Sequence, residues 1–201
     1  MTIKTIRYVL WGLVVVAVAA VAGVWIGYRV VGPDSGIAGI ASIGGPFELV
    51  GTNGEPVSSE TLFAKPTALF FGFTHCPEVC PTTLFEAGGW LDALGEDAEK
   101  LNVVFVSVDP ERDTPAVLAT YMSAFDPRLI GLTGSPEEVA EVVKDYRIYA
   151  QKVELDDGGY TVDHYAAVLL FDETGGFRGT VDISDSKDNV VAKLKRLVEA
   201  G

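Results

Sequence analysis

The sequence predicts an α/β domain, with a central mixed sheet flanked by helices, behind a single N-terminal transmembrane helix. Three observations support this prediction. An uncharged apolar run opens the chain, apolar strands then alternate with helical segments, and two hairpins follow in the second half. Strands that alternate with helices imply a parallel centre of the sheet, and hairpins add antiparallel strands. The 201 residues have room for one membrane segment and one ordinary domain.

Residues 1–30 are predicted to be a membrane anchor. The run 8–28 has 21 residues without a charge, which as a helix would extend about 30 Å, close to the hydrocarbon thickness of a bilayer. Lys4 and Arg7 precede it, as basic residues do on the inner side of a membrane helix, and aromatic residues lie at both ends of the run. A cleaved signal peptide is the alternative, but the apolar run continues past the small-residue sites near 17–22.

Residues 31–46 are predicted to form a flexible tether, because they contain five glycines, two prolines and one charged residue. The folded domain is then expected over 47–201. All 28 acidic residues, but only 12 of the 15 basic ones, follow residue 30. A domain this acidic would repel nucleic acid and anionic lipid. Its charge suits binding to a basic protein partner, or serves only to keep the domain soluble.

Each element of the domain has a local signal. Turn sequences at 52–54, 156–159 and 172–176 join apolar strands, while Thr114 and Ser135 precede prolines as helix caps. Strands are predicted at 47–50, 56–58, 67–73, 103–108, 149–155, 160–162, 166–171 and 177–183, and helices at about 81–94, at 115–125, from 136 and at 187–199. A strand, a cysteine pair and a helix, with a closing hairpin and helix, is the thioredoxin order.

Cys76 and Cys80 are the only cysteines, and they are predicted to be the reactive residues. An inert disulfide is disfavoured because so short a loop contributes little stability. Both sulfurs lie between a buried strand and a helix N-terminus, where the helix field is expected to lower the pKa of a thiol. Residues four apart in a helical turn have Cα atoms about 6 Å apart, so the pair suits either a disulfide or one metal ion.

The spacing of the cysteines differs from the Cys-x-x-Cys of ordinary thioredoxins. At this point the sequence resembles the SCO (SenC) family, the copper chaperones that serve cytochrome c oxidase assembly. The matching tracts are FGFTHCPEVCP at 71–81, VSVDPERDTP at 106–115 and Asp163-His164. The resemblance runs from 47 to the end, and implies that Cys76, Cys80 and His164 bind copper in a domain that faces the periplasm of a bacterium.

Two histidines are candidate ligands. His75 adjoins Cys76, so its ring and the sulfur leave the backbone in different directions. His164 precedes the apolar run 166–171, in the loop that faces the cysteine turn of a thioredoxin fold and normally carries a cis-proline; this chain has no proline after Pro136. From the residues alone, His164 is equally consistent with a ligand and a structural residue, and the resemblance favours the ligand.

The donor set of two thiolates and one imidazole suits Cu(I), and with a weak further ligand also Cu(II). Zinc is the alternative, but its structural sites usually have four ligands. Asp109 follows the strand 103–108 as Cys76 follows 67–73, so it is expected at the same sheet edge, where it would orient a ligand or contact a partner. Its alternative role is a loop acid paired with Arg112.

Several functions stay open on this sequence. The first is a metallochaperone that delivers copper to the CuA site of a cytochrome c oxidase subunit. The second is a thiol-disulfide oxidoreductase that reduces the CuA-site cysteines, with a copper donor or a thiol reductant as a further partner. A thiol peroxidase that uses Thr74 near Cys76 is a weaker candidate. An anchored sensor whose thiols report the redox state is a further candidate, which the sequence does not separate from the oxidoreductase.

Overall fold

The computed structural model describes residues 43–156 and 158–200, together with 11, 12, 16, 18 and 21. The chain divides into two compact units, Met1–Ala41 and Ser42–Gly201. Apart from those five residues, the predicted anchor lies outside the described part of the chain, as does most of the predicted tether. Within the described residues, no helix is both long enough and apolar enough to cross a membrane.

A seven-stranded mixed sheet forms the centre of the second unit. Its strands are β1 (Glu48–Gly51), β2 (Pro56–Ser58), β3 (Thr67–Gly72), β4 (Asn102–Ser107), β5 (Leu129–Thr133), β8 (Val168–Phe171) and β9 (Phe177–Val181). Their spatial order is β2-β1-β5-β4-β3-β8-β9, with β3, β4 and β5 parallel and the outer pairs antiparallel. The strands β6 (Ala150–Glu154) and β7 (Tyr160–His164) form a separate hairpin.

Helices cover both faces of the sheet. They are α1 (Ser59–Leu62), α2 (Val79–Leu94), α3 (Pro115–Met122), α4 (Pro136–Asp145) and α5 (Lys187–Glu199), with a 3-10 helix at Gly95–Lys100. The predicted caps are confirmed: Thr114 accepts a hydrogen bond from the Val117 amide, and Ser135 forms a capping box with Glu138. Helix α2 begins two residues before Pro81, which lies in the first turn, where its missing N–H costs no bond.

Strand β3 is buried along its whole length and supplies both halves of the core. Ala68 and Phe70 belong to the apolar cluster that includes residues of α2, α3 and α5, whereas Leu69 and Phe71 belong to the cluster that includes residues of α1 and α4. Alternate residues of a strand point to opposite faces, so one fully apolar run builds two cores. The predicted thioredoxin-like fold with a central mixed sheet is confirmed.

The strand β5 is absent from the sequence-based prediction. Gly131 lies in its middle, and glycine weakens the local preference for a strand. A Cβ at Gly131 would lie 2.9 Å from Met122 Cγ and 3.0 Å from Thr52 Cγ2. The glycine is therefore required by close packing that only the folded chain creates.

Residues at the end of the predicted tether pack against the domain. Ile43 contacts the apolar cluster beside α4. The Gly44 amide donates to the Asp145 carbonyl at 3.0 Å, and the Tyr146 hydroxyl donates to the Gly45 carbonyl at 2.9 Å. The packing of this unit thus includes residues 43–45, which belong to the predicted tether.

Candidate metal centre

The two cysteines lie where the central parallel strands end. Gly72, the last residue of β3, pairs with Ser107, the last residue of β4, and accepts a hydrogen bond from the Val108 amide at 2.8 Å. The chain then turns through Phe73 into the cysteine segment. Cys76 is partly buried, and Cys80 in the first turn of α2 is fully buried. Neither forms a disulfide.

Gly72 makes room for the buried sulfur. A Cβ built on Gly72 would lie 2.6 Å from Cys80 Sγ and 2.7 Å from Phe105 Cε2. Contacts this short do not occur between real atoms of these types, so any side chain here would displace the Cys80 sulfur or the Phe105 ring. The position of Cys80 Sγ depends on the absence of a side chain at residue 72.

His164 reaches the cysteines from the hairpin. It is the last residue of β7, opposite Ala150, and its ring packs edge-on against Phe73 with centroids 5.5 Å apart. Its Nε2 lies 3.6 Å from Cys80 Sγ. The ligand atoms of Cys76, Cys80 and His164 all lie within 4.8 Å of one another, and no other set of three such residues does so in the described ranges. His75 is not a member of this group.

Burial decides the protonation of the buried pair. It raises the pKa of the Cys80 thiol far above its ordinary value, so the predicted lowering by the helix field is wrong for this cysteine. Burial also lowers the pKa of His164, which favours the neutral imidazole. Because the Tyr165 carbonyl, 3.3 Å from Nδ1, can only accept, Nδ1 carries the proton and Nε2 presents its lone pair to Cys80.

The Cys76 sulfur has a different environment. The Cys80 amide, one of the free N–H groups of the first turn of α2, donates to Cys76 Sγ at 3.4 Å. The sulfur that is accessible to a partner is thus held by the helix N-terminus, and the inaccessible sulfur by apolar packing. This asymmetry suits a metal site in which the partly exposed Cys76 exchanges ligands with a partner, while the buried Cys80 keeps its bond to the metal ion.

Asp109 lies at the same sheet edge, as predicted, and is 4% exposed. Arg112 donates to its Oδ2, and the Tyr160 hydroxyl donates to its Oδ1 at 2.9 Å. The Arg112 guanidinium also stacks over the Tyr160 ring, with Cζ 3.7 Å from the centroid, and donates to the Tyr160 carbonyl at 2.9 Å. Since Tyr160 begins the strand that ends at His164, this polar cluster connects the sheet edge to the hairpin.

Sequence reasoning missed Asp113, a fully buried acid in the described structure. Its carboxylate accepts from the Thr74 amide at 2.9 Å, from the Thr74 hydroxyl at 2.6 Å and from the Ser107 hydroxyl at 2.6 Å. It therefore anchors the turn that leads into Cys76. The Thr74 hydroxyl is committed to Asp113 and also lies 3.0 Å from His75 Nδ1. The only signal for Asp113 in the local sequence is its place directly before the helix cap Thr114, and an acid at that place is typical of the start of a helix.

Comparisons with known proteins agree with this architecture. Residues 36–199 match the model of the SCO1/SenC family. The mitochondrial protein SCO1 homolog 1 of Arabidopsis thaliana is 42% identical over 164 residues, which cover 79% of this chain and 49% of that protein. Protein SenC of Rhodobacter capsulatus is 38% identical over 152 residues, 76% of this chain and 68% of SenC. This chain spans about half the length of the Arabidopsis relative.

Solved structures show the same fold. Bradyrhizobium japonicum ScoI with copper bound is 51% identical, with a TM-score of 0.73 over 78% of this chain and 99% of that one. Yeast Sco1 with copper bound is 35% identical, with a TM-score of 0.73 over 80% and 90%. The family match covers the whole sheet and all three residues of the metal-ligand group. This chain belongs to the SCO1/SenC family.

Proposed function

We propose that this protein is a membrane-anchored copper metallochaperone, which holds copper through Cys76, Cys80 and His164 and delivers it to the CuA site of a cytochrome c oxidase subunit. The observation that supports it most directly is the convergence of two thiols and one imidazole within 4.8 Å. The relatives with copper in their solved structures support the choice of metal.

The donor set fits copper as cargo. Two thiolates and an imidazole are soft ligands, which favour Cu(I), and such a set is also compatible with Cu(II) when a weak further ligand is added. Binding must displace the proton of Cys80, so copper uptake should release protons. Transfer then requires exchange of one ligand at a time, and the partly exposed Cys76 is the ligand that a partner can reach first.

A Cu(II) titration of the full chain, followed by its visible spectrum, tests the proposal. A thiolate-to-copper absorption band should appear in the wild type and be lost or displaced in Cys76→Ser, Cys80→Ser and His164→Ala. His75→Ala is the matched control, because it removes an imidazole next to Cys76 that lies outside the ligand group. Copper affinity in His164→Ala equal to that of the wild type would contradict the proposed site.

The arrangement also favours a second function, reduction of the CuA-site cysteines. The Cys76 thiolate would attack the disulfide of the oxidase subunit and form a mixed disulfide, releasing one thiolate of the target. Attack by Cys80 would then release the second, leaving this chain with a Cys76–Cys80 disulfide and the target with two thiols. The partly exposed first cysteine and the buried second one suit this order. Full activity of His164→Ala in cells, with loss in either cysteine variant, would favour this function over copper delivery.

The anchor, residues 1–30, would hold the domain on the periplasmic side of a bacterial inner membrane. The basic residues before the apolar run support this orientation. Extraction of the full chain by alkaline carbonate, which releases peripheral proteins, would argue against the anchor.

We assign Asp109 a positioning role through Arg112 and Tyr160, since its two oxygens are occupied by these residues.

A further inference from the structure

Helix α2 exposes a large aromatic side chain close to the metal-ligand group. Phe85 is 79% exposed, although it lies only five residues after the fully buried Cys80 and directly after the buried Leu84. Single exposed apolar residues are common on protein surfaces, so the exposure alone indicates little. The residues around Phe85 indicate that its exposure has a function.

Two adjoining hollows run along α2 beside Phe85. The larger, of about 730 Å³, is lined by Phe85, Gly88, Gly89, Phe125 and Ile183 among others, and the smaller, of about 60 Å³, by Thr82, Trp90 and Ala166 among others. They share Glu86, Ile183 and Asp185, so they form one continuous groove. Thr82 and Ala166 each follow a ligand residue, Cys80 or His164, by two positions. One end of this groove, which we call the Phe85 groove, therefore lies near the metal-ligand group.

Two adjacent glycines in the middle of α2 form part of the groove. A Cβ on Gly88 would lie 3.1 Å from Asp126 Cβ, and one on Gly89 would lie 3.3 Å from Lys187 Nζ. Glycine in a helix interior is unfavourable relative to alanine, because it loses more conformational freedom on folding. The two glycines therefore let residue 126 and the Lys187 side chain, which both line the larger hollow, approach the helix closely.

The groove carries unbalanced charge and an unsatisfied donor. Glu86 is exposed and makes no ion pair among the described residues, and neither does Asp182. Asp185 pairs with Lys193. Trp90 is 5% exposed, and its indole Nε1–H has no acceptor within the described chain. The smaller hollow therefore offers negative charge and a buried N–H donor, while Asp92, Asp126 and Lys187 line the larger one.

We propose that the Phe85 groove is the docking surface for the protein that accepts copper, and that this partner presents basic side chains around an apolar one. The proposal rests on the proposed function. The apolar side chain would pack against Phe85, and the basic residues would face Glu86 and Asp182. An occupant seated there would lie next to both hairpin and helix ligands, so its own ligands could reach Cys76. Charge complementarity of this kind mainly speeds encounter, as a transient transfer complex requires.

Copper transfer from the loaded full chain to the purified apo CuA domain of the oxidase subunit tests the groove. Phe85→Ser should raise the half-saturating concentration of acceptor about tenfold, as expected for loss of an aromatic contact at the centre of an interface. Glu86→Lys should have a similar effect that weakens with added salt. In both variants, copper affinity and the transfer rate at saturating acceptor should equal those of the wild type.

Matched controls use residues outside the groove. Leu155→Ser removes an apolar side chain that is 45% exposed on the hairpin, and Glu141→Lys reverses an exposed charge on α4, on the other face of the sheet. Neither should change the half-saturating concentration. Groove variants that behave like these controls would overturn the docking surface but leave the proposed function intact. A wild type that binds copper and transfers none to the CuA domain would overturn both.

The protein without its partner supplies a second readout. If Phe85→Ser lowers the solution mass, or increases amide exchange along α2 in the protein alone, then a second copy or another segment of this chain occupies the groove. Either result would overturn the assignment to the copper acceptor. Unchanged mass and exchange, together with the raised half-saturating concentration, support it.

Discussion

Gly72 is the residue on which the packing of Cys80 depends. At this position the backbone of β3 lies against the Cys80 sulfur and the Phe105 ring, and a methyl group would have to displace one of them. Overpacking of a dense core usually costs about 1–3 kcal/mol, because side chains leave their preferred rotamers and the backbone shifts. Here the atom that would move is also a proposed copper ligand.

We expect Gly72→Ala to lower the free energy of unfolding by about 1–3 kcal/mol and to weaken copper binding as well. Urea denaturation measures the first effect, and competition with a copper chelator measures the second. Gly131→Ala is the control, because it introduces a methyl group in the same sheet that is crowded by Met122 and Thr52, although slightly less than at Gly72. The control should lose stability but keep its copper affinity. Equal copper affinities in the two variants would argue against the role of Gly72.

Among the elements that form the site, the hairpin of β6 and β7 is the one whose strands do not pair with the main sheet. Its position depends on contacts from its side chains to the sheet edge. Arg112 stacks on Tyr160 and bonds its carbonyl, while Asp109 accepts from both side chains. Burial and the bond to Asp109 raise the pKa of Tyr160 to about 12, so its hydroxyl remains a donor at neutral pH. We infer that this cluster holds the strand that ends at His164.

Replacement of Arg112 by lysine should loosen the hairpin, because an ammonium group keeps the charge but loses the planar stacking and the paired donors. We expect faster loss of copper and a Cu(II) spectrum shifted toward that of His164→Ala. Tyr160→Phe, which removes only the hydroxyl, should have a smaller effect. Glu141→Gln is the control, since this exposed acid lies on α4 and is not part of the cluster. If the spectra of Arg112→Lys and the wild type coincide, then other contacts hold the hairpin.

At the scale of the whole domain, the segment before β1 closes the cluster beside α4. Tyr146 is 2% exposed, and burial raises its pKa to about 12 despite the bond to the Gly45 carbonyl. Ile43 packs on the same cluster, and the Gly44 amide bonds the end of α4. A buried hydroxyl without its acceptor costs about 1–3 kcal/mol, so these few residues affect the stability of the whole domain.

We predict that a fragment of residues 43–201 folds, and that a fragment of residues 47–201 is less stable by about 1–3 kcal/mol. Denaturant unfolding of both fragments measures the difference. Tyr146→Phe provides the test of cause: it should destabilise the longer fragment, and be neutral or stabilising in the shorter one, where the hydroxyl has lost its acceptor. Equal stabilities of the two fragments would show that residues 43–46 contribute nothing.

Local chemistry was sufficient for much of this fold. The capped helices, the hairpin turns and the buried run of β3 depend on neighbours within a few positions, and all are found close to their predicted bounds. Strand β5 was not predictable in this way, because Gly131 opposes a strand locally and is favoured only by contacts with α3 and residue 52. Asp113 was missed for the same reason, since its three donors come from two other segments.

The order of residues along the chain was sufficient to predict the two cysteines at the end of a strand and a downstream histidine just before an apolar strand. The folded structure was needed to show that His164, and not His75, joins the cysteines, and that Cys80 keeps its proton against the helix field. Both outcomes depend on burial by segments far apart in the sequence. Desolvation of the sulfur outweighs the helix field, and no local pattern encodes how deeply a side chain is buried.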